Sequence, residues 1–169
     1  GTSFDVSLVR NGEVALKAES NLDRLRIALP MLEITTIGAG GGSIGRLDAG
    51  GLLRMGPQSA GAAPGPACYD RGGERPTCTD ADLALGYLDP TFFAGGQITL
   101  RPDLARTAIA THVATPMGLD VETAAGGMYR VINANMAHGV REITIRRGLD
   151  PREFPMVVAG GAGAMHACM

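Results

Sequence analysis

The chain contains no tryptophan, and aromatic residues make up only 4% of its 169 positions. Proteins that bind single-stranded nucleic acid stack bases on aromatic side chains, and they attract phosphates with clustered basic residues. Here the longest basic run is Arg146-Arg147, and the formal net charge is −2. The composition therefore argues against nucleic acid as a partner.

Long apolar runs and paired cysteines are also missing. No apolar run approaches the roughly 20 residues that a membrane helix needs, so we expect no membrane contact. The cysteines are three, Cys68, Cys78 and Cys168, and an odd number favours a reducing, cytoplasmic setting. Cys68 and Cys78 lie ten positions apart, and no nearby histidine completes a zinc set. We therefore predict no metal site.

The first 38 residues predict a small β sheet. Phe4 to Val9 alternates and runs into Asn11-Gly12, a dipeptide suited to a two-residue hairpin turn. Further strands are expected over Glu13 to Lys17, Asp23 to Leu29 and Leu32 to Ile37, where alternation or β-branched residues recur.

Residues 39–101 form a stretch rich in glycine and proline. Within it, Ser43 to Asp48 and Leu52 to Met55 are predicted to pair as a hairpin. A short helix is expected from Asp80 to Tyr87, because a capping Thr79 and acidic residues precede spaced leucines. Long irregular segments of this kind are usually functional or packed against other parts of the molecule.

Residues 102–169 change to a helical period. We predict helices over Asp103 to Thr115 and Asp120 to Arg147, the second ended by Gly148. "FPMVVAGG", Phe154 to Gly161, reads as a buried strand that delivers a glycine turn and the start of another helix. Strands followed by a loop-rich insertion, helices and a strand indicate an α/β protein.

Two glycine turns, one near each end, are candidate anion sites. "GTSFDVSLV" combines Gly1 with hydroxyl groups, and "VVAGGAGAMHA" presents helix N-terminal N–H groups after a strand. Both arrangements suit phosphate oxygens, because glycine lets backbone donors approach closely. Each also reads as a plain strand with a turn, so both interpretations stay open on the residues alone.

The two ends together resemble a known superfamily. "GTSFDVSLV" looks like the second phosphate loop of actin-like ATPases, and "VVAGGAGAMHA" looks like their adenosine motif. "IGAGGGSIGRLDAGGLLRMGPQSAGAAPGPACYDRGG" and "PTCTDADLALGYLDP" resemble the hydantoinase A/5-oxoprolinase family, which includes acetone and acetophenone carboxylase subunits. The resemblance implies part of an actin-like (ribonuclease H-like) ATPase domain with a glycine-rich β insertion. Because both ends fall inside motifs, we expect the chain to be a segment of a longer protein.

The resemblance also implies chemistry. Members of the family use ATP, and by implication Mg²⁺, to phosphorylate a carbonyl or enolate oxygen, after which a hydantoinase B-type partner subunit or domain completes the reaction. The main expectation is ring opening of a small cyclic amide such as a hydantoin or 5-oxoproline. Carboxylation of a ketone is the alternative, and a non-catalytic nucleotide-binding scaffold is the second alternative. The isolated segment is expected to be inactive.

The resemblance assigns site residues by position. Gly1, Thr2 and Ser3 fall in the phosphate loop, and Gly160, Gly161 and Gly163 fall in the adenosine turn. The candidate catalytic residues are Asp5, which orders the loop or an Mg²⁺-bound water, and Asp80, which otherwise serves as a helix cap. Gly40, Gly41, Gly42 and Ser43 are candidate substrate-proximal residues, or only a change of direction.

Two further residues have alternative readings. Cys68, in a glycine- and proline-rich loop, is either a nucleophile or an inert loop cysteine, and no adjacent base supports the first reading. His166 follows the adenosine turn, and we expect it to pack under the sheet rather than face a ligand.

Overall fold

Strands between Phe4 and Ile37 form a narrow antiparallel ribbon in the computed structural model, which describes residues 2–22 and 24–169. The paired strands are β1 (Phe4–Val6) with β8 (Thr35–Ile37), β4 (Leu16–Lys17) with β7 (Met31–Leu32), and β5 (Ser20–Leu22) with β6 (Leu25–Ile27). The predicted strands are confirmed in place but broken into shorter pieces. Asp23, the predicted start of one strand, lies outside the described residues.

A side hairpin leaves this ribbon at the predicted turn. Strand β2 (Val9–Arg10) pairs with β3 (Glu13–Val14), and Asn11 and Gly12 between them have φ of 53° and 81°. Positive φ at both central residues is the requirement of a type I′ turn, which Asn-Gly satisfies. The predicted hairpin is confirmed, and the strand predicted from Phe4 to Val9 is instead two strands, β1 and β2.

The predicted second hairpin is also confirmed. Strand β9 (Ser43–Leu47) pairs with β10 (Leu53–Ser59), with Leu47 opposite Leu53. The Asp48 side chain closes the turn, because its Oδ1 accepts hydrogen bonds from the N–H groups of Gly50 and Leu52. Aspartate side chains can accept hydrogen bonds from the backbone two residues later and so stabilise a turn. The conformation of this turn is therefore determined by residues within it.

The helices follow their predicted positions with shifted ends. Helix α1 (Cys78–Ala84) begins and ends earlier than predicted, because Thr77 rather than Thr79 is the N-cap and forms a capping box with Asp80. Helices α2 (Pro102–Ile109) and α3 (Thr115–Met117) are joined by a π-helical turn over Ala110–Ala114. Among the described residues, no helix combines the length and apolar character that a membrane crossing requires.

The long helix α4 (Val121–Ile143) supports both β structures. Its N-cap Asp120 accepts from the Thr123 N–H, and it ends before the predicted Arg147, since residues 145–147 form a 3-10 turn stopped by Gly148. Gly139 lies against Phe4 and Ile37 of the ribbon, and Gly127 lies against Leu53 of the second hairpin. The main core contains the buried residues Met55, Ile109, Val113, Met128 and Ile132.

The predicted strand over Phe154 to Gly161 is wrong. Residues 155–159 run without regular structure, and Val157 is 94% exposed. An apolar run becomes a strand only where a neighbouring strand accepts its backbone hydrogen bonds, and no described strand pairs with this segment. The helix start after it is confirmed, because helix α5 (Gly161–His166) follows Gly160 directly.

Candidate functional site

A cavity of about 820 Å³ lies between the ribbon, helix α1, the end of α4 and the segment that leads to α5. Its walls come from residues far apart in the chain: Ser3, Phe4, Asp5, Val6, Ser7, Leu8, Gly41, Tyr69, Thr79, Asp82, Leu88, Phe93, Val140, Ile143, Thr144, Pro151, residues 154–163 and Met165. Small-molecule pockets commonly have volumes of about 300–1,000 Å³, so the cavity has the size of a nucleotide or substrate site.

The predicted phosphate loop reaches this cavity through Ser3 and Asp5. Asp5 is exposed and accepts hydrogen bonds from the hydroxyls of Ser3 (3.2 Å) and Thr36 (2.6 Å). Thr2 does not line the cavity, and its hydroxyl lies 3.3 Å from that of Ser59. Gly1 lies outside the described residues.

The predicted adenosine turn lines the same cavity with Gly160, Gly161 and Gly163. Gly160 has φ of 88° and ψ of 169°, a region that is almost restricted to glycine. A Cβ at Gly161 would meet no atom within 4 Å, whereas one at Gly163 would lie 3.4 Å from Val158 Cγ1. The turn therefore presents bare backbone to the cavity.

The glycine-rich turn at residues 40–43 is buried, and only Gly41 of the four lines the cavity. The Gly40 N–H donates to Ser43 Oγ and the Ser43 N–H donates to the Gly40 carbonyl, each over 2.9 Å. The Gly41 carbonyl accepts from the N–H and the hydroxyl of Thr79. The last two bonds attach the turn to helix α1. The substrate-proximal assignment of residues 40–43 stays a prediction, and Gly41 is the one of the four that lines the cavity.

Asp80 is fully buried and does not line the cavity. Its carboxylate accepts hydrogen bonds from the N–H groups of Ala67, Cys68 and Thr77 and from the Thr77 hydroxyl, over 2.8–3.2 Å. It therefore ties the preceding loop to the start of helix α1. The hydrogen bonds give Asp80 of the "TDADLALG" string a structural role. Its catalytic assignment stays a prediction.

We expect Asp80→Asn to lower the free energy of unfolding of the full-length protein by about 2 kcal/mol. The amide replaces one acceptor oxygen by a donor, and a buried N–H left without its partner costs about 1–3 kcal/mol. Chemical denaturation followed by circular dichroism measures the change. Asp89→Asn, at an exposed turn residue, is the control, and equal stability of the two variants would contradict the structural role.

Cys68 is fully buried, and burial together with the neighbouring Asp80 carboxylate raises the pKa of its thiol. A buried thiol with a raised pKa is a poor nucleophile, since the thiolate is the reactive form. The structure supports the reading of Cys68 as an inert loop cysteine.

A cluster that sequence reasoning missed lies at the wall of the cavity, formed by Cys78, Asp82 and His166. All three side chains are buried, and their ligating atoms lie within 4.8 Å of one another. Cys78 and Asp82 are four positions apart on one helix, which places them on the same face. His166 is buried, as predicted, but it packs against helix α1 beside these two residues.

The charge of the cavity limits what it can hold. Asp5 and Asp82 line it, and none of its described lining residues is lysine or arginine. An anionic nucleotide in this cavity would therefore have to be neutralised by backbone N–H groups and a bound cation. The hydroxyls at one end, the bare glycine turn at the other and the volume fit a nucleotide with its divalent cation.

These elements define a mixed α and β protein with a large cavity that is lined by residues of both predicted nucleotide motifs, Ser3 and Asp5 from the first and Gly160, Gly161 and Gly163 from the second. The chain belongs to the hydantoinase/oxoprolinase family, whose family model matches residues 1–169.

Three matches, one by sequence and two by structure, come from caprolactamase and acetone carboxylase. The chain is 49% identical over 166 residues to caprolactamase subunit alpha of Pseudomonas jessenii, covering 98% of this chain and 24% of that protein. The crystal structure of ATP-dependent caprolactamase from Pseudomonas jessenii matches with a TM-score of 0.90 and 48% identity, over 99% of this chain and 24% of that one. Nucleotide-free acetone carboxylase also gives a TM-score of 0.90, at 36% identity, over 98% and 24% of the two chains. This chain thus spans about a quarter of these relatives.

Proposed function

We propose that the full-length protein containing this chain uses ATP to open a cyclic amide, and that the chain forms part of an actin-like ATPase domain. The observation that carries the proposal is the shared cavity. Ser3 and Asp5 come from one end of the chain and Gly160 and Gly161 from the other, yet all four line it. In the predicted actin-like arrangement, phosphate loop and adenosine turn face the same nucleotide.

The residues of this chain have separate tasks in the proposed site. The Ser3 hydroxyl contacts phosphate oxygens, whereas Thr2, assigned to the same loop by resemblance, lies outside the cavity. The turn at Gly160 to Gly163 lies against the adenosine. Asp5 has one of two tasks, either ordering the phosphate loop or ordering an Mg²⁺-bound water. ATP supplies the phosphoryl group that activates the carbonyl oxygen of the amide, whose carbon is otherwise a poor electrophile. The protein's own contribution is positioning and charge neutralisation.

The substrate is proposed to approach Gly41, because this residue is the part of the glycine-rich turn that lines the cavity. A lactam is favoured as substrate by the 49% identity to caprolactamase subunit alpha. That relative is named as a subunit, which supports a partner, and we propose a hydantoinase B-type subunit or domain. The three cysteines are unpaired, which fits the proposed cytoplasmic location.

Ketone carboxylation is the second candidate. The acetone carboxylase structure matches as closely in fold as caprolactamase, with the same TM-score of 0.90. Activation of an enolate oxygen by phosphorylation would use the same nucleotide cavity, so the two reactions differ in the substrate rather than in this segment. The names of the two matched structures reported above, which are both enzymes, favour a catalytic role over a scaffold.

We expect caprolactam, a hydantoin or 5-oxoproline to stimulate ADP release by the full-length protein with its partner. The test compares these amides with acetone and acetophenone, each with ¹³C-bicarbonate, and identifies products by mass spectrometry. A ring-opened product without label supports the proposed hydrolase function. A labelled carboxylate formed from a ketone would instead support the carboxylase function and contradict the hydrolase. ADP release that no substrate stimulates would contradict both.

A further inference from the structure

The cluster of Cys78, Asp82 and His166 has the composition and spacing of a transition-metal site. Cys78 Sγ lies 3.2 Å from His166 Nε2 and 3.6 Å from Asp82 Oδ2, and the last two atoms are 3.7 Å apart. With Zn–S of about 2.3 Å and Zn–N and Zn–O of about 2.0–2.2 Å, tetrahedral coordination places such ligand atoms about 3.4–3.6 Å from one another. The three side chains already stand close to those separations.

The proton on the histidine is fixed by its outer neighbour. The Asn133 amide nitrogen donates to the Tyr129 carbonyl over 2.8 Å, so Asn133 Oδ1 faces His166 Nδ1 at 3.2 Å and accepts its hydrogen. In the neutral ring, Nε2 then carries a lone pair directed at the cluster. Histidines that bind metals usually have this kind of hydrogen bond on the other ring nitrogen.

Hydrogen bonds within the cluster leave its acceptors incompletely satisfied. Cys78 has one thiol proton, which it can donate to His166 Nε2 or to Asp82 Oδ2 but not to both at once. In addition, the buried Asp82 Oδ1 has no hydrogen-bond partner among the described residues. Buried polar atoms are nearly always satisfied, so the unpartnered Oδ1 of Asp82, whose Oδ2 faces Cys78 and His166, supports a bound cation beside this carboxylate.

We propose that Cys78 Sγ, Asp82 and His166 Nε2 bind one Zn²⁺, which ties helix α5 to helix α1 beside the cavity. A thiolate and an imidazole favour zinc over magnesium, which prefers oxygen ligands alone. The site is therefore separate from the Mg²⁺ that accompanies ATP. With three protein ligands, the fourth position is taken by water. Because α5 follows the turn at Gly160, the metal fixes the position of the proposed adenosine turn.

The first test measures metal in the full-length chain, purified under reducing conditions without a histidine tag. We expect one Zn²⁺ per chain that is lost in Cys78→Ser and in His166→Gln and kept in the control Cys168→Ser, which removes an exposed cysteine. Asn133→Leu, which changes only the outer neighbour, should weaken zinc binding about 10- to 100-fold in chelator competition. Zinc content unaffected by Cys78→Ser would overturn the proposal.

The second test uses the wild-type full-length protein, so it does not depend on whether the variants fold. Replacing zinc by Co²⁺ should give a thiolate-to-metal charge-transfer band, and Zn²⁺ should slow amide exchange in residues 161–166, while excess Mg²⁺ should do neither. A cobalt complex without a thiolate band, or no metal uptake, would identify the cluster as a set of hydrogen bonds only. Neither readout requires ATP turnover.

Discussion

Replacing Gly161 by leucine is expected to abolish ATP-dependent turnover of the full-length protein while leaving its thermal stability close to that of the wild type. Gly161 lines the cavity, and a Cβ built on it meets no atom within 4 Å. A larger side chain therefore has room to form, but it occupies volume that the proposed adenosine needs. Misplacement of a bound reactant by about 1 Å can cost about 100-fold in rate, so we expect at least that loss.

Two matched substitutions separate this effect from backbone strain. Gly161→Ala adds one methyl group in open space, and we expect nearly normal ATP affinity by calorimetry. Gly160→Ala adds the same methyl group at φ of 88°, where a non-glycine residue costs about 1–3 kcal/mol, so it should lower the melting temperature instead. Wild-type turnover in Gly161→Leu would remove this residue from the site.

The local parts of the fold could be predicted because their causes are local. Asn11-Gly12 forms its hairpin through the backbone freedom of two residues, and Asp48 closes the second turn with its own side chain. Helix α4 follows from apolar residues at helical spacing. The shifted start of α1 shows the limit, since Thr77 and Thr79 are both plausible caps and only Asp80, bonded back to Thr77, decides between them.

Features that depend on distant neighbours could not be predicted. Residues 154–159 have the apolar pattern of a buried strand. A strand also needs a neighbouring strand to pair with its backbone, and the sequence pattern does not show whether one is present. The pair Cys78 and Asp82 is visible in the sequence at helical spacing. His166 joins them only because α5 packs back on α1, which no spacing rule predicts.

The candidate nucleotide site is predicted from the order of two motifs along the chain rather than from their chemistry. Ser3 and Gly161 are far apart in sequence, and only resemblance connects them before the fold is known. The structure brings both to one cavity. Residues that belong to no motif, such as Val140 and Ile143 near the end of helix α4, also line this cavity.

Replacing Asp5 by asparagine is expected to lower ATP turnover of the full-length protein about 100-fold, a size typical of removing one preorganised electrostatic group from an active site. Asparagine keeps the shape and one acceptor oxygen for the Thr36 hydroxyl, so the substitution mainly removes charge. Asp5 is exposed, and exposed substitutions usually change stability by less than about 0.5 kcal/mol. The lost rate should therefore appear in kcat and in the Mg²⁺ requirement, without unfolding.

Thr36→Val distinguishes the two tasks considered for Asp5. This substitution keeps the carboxylate and removes the 2.6 Å hydrogen bond that orients it. If Asp5 only orders the loop, losing its anchor should be as damaging as losing its charge, and the two variants should slow turnover equally. If Asp5 orders an Mg²⁺-bound water, Thr36→Val should lose far less activity, and raised Mg²⁺ should partly rescue Asp5→Asn but not Thr36→Val. Full turnover in Asp5→Asn would exclude the Mg²⁺-bound water, because that task requires the negative charge of the carboxylate.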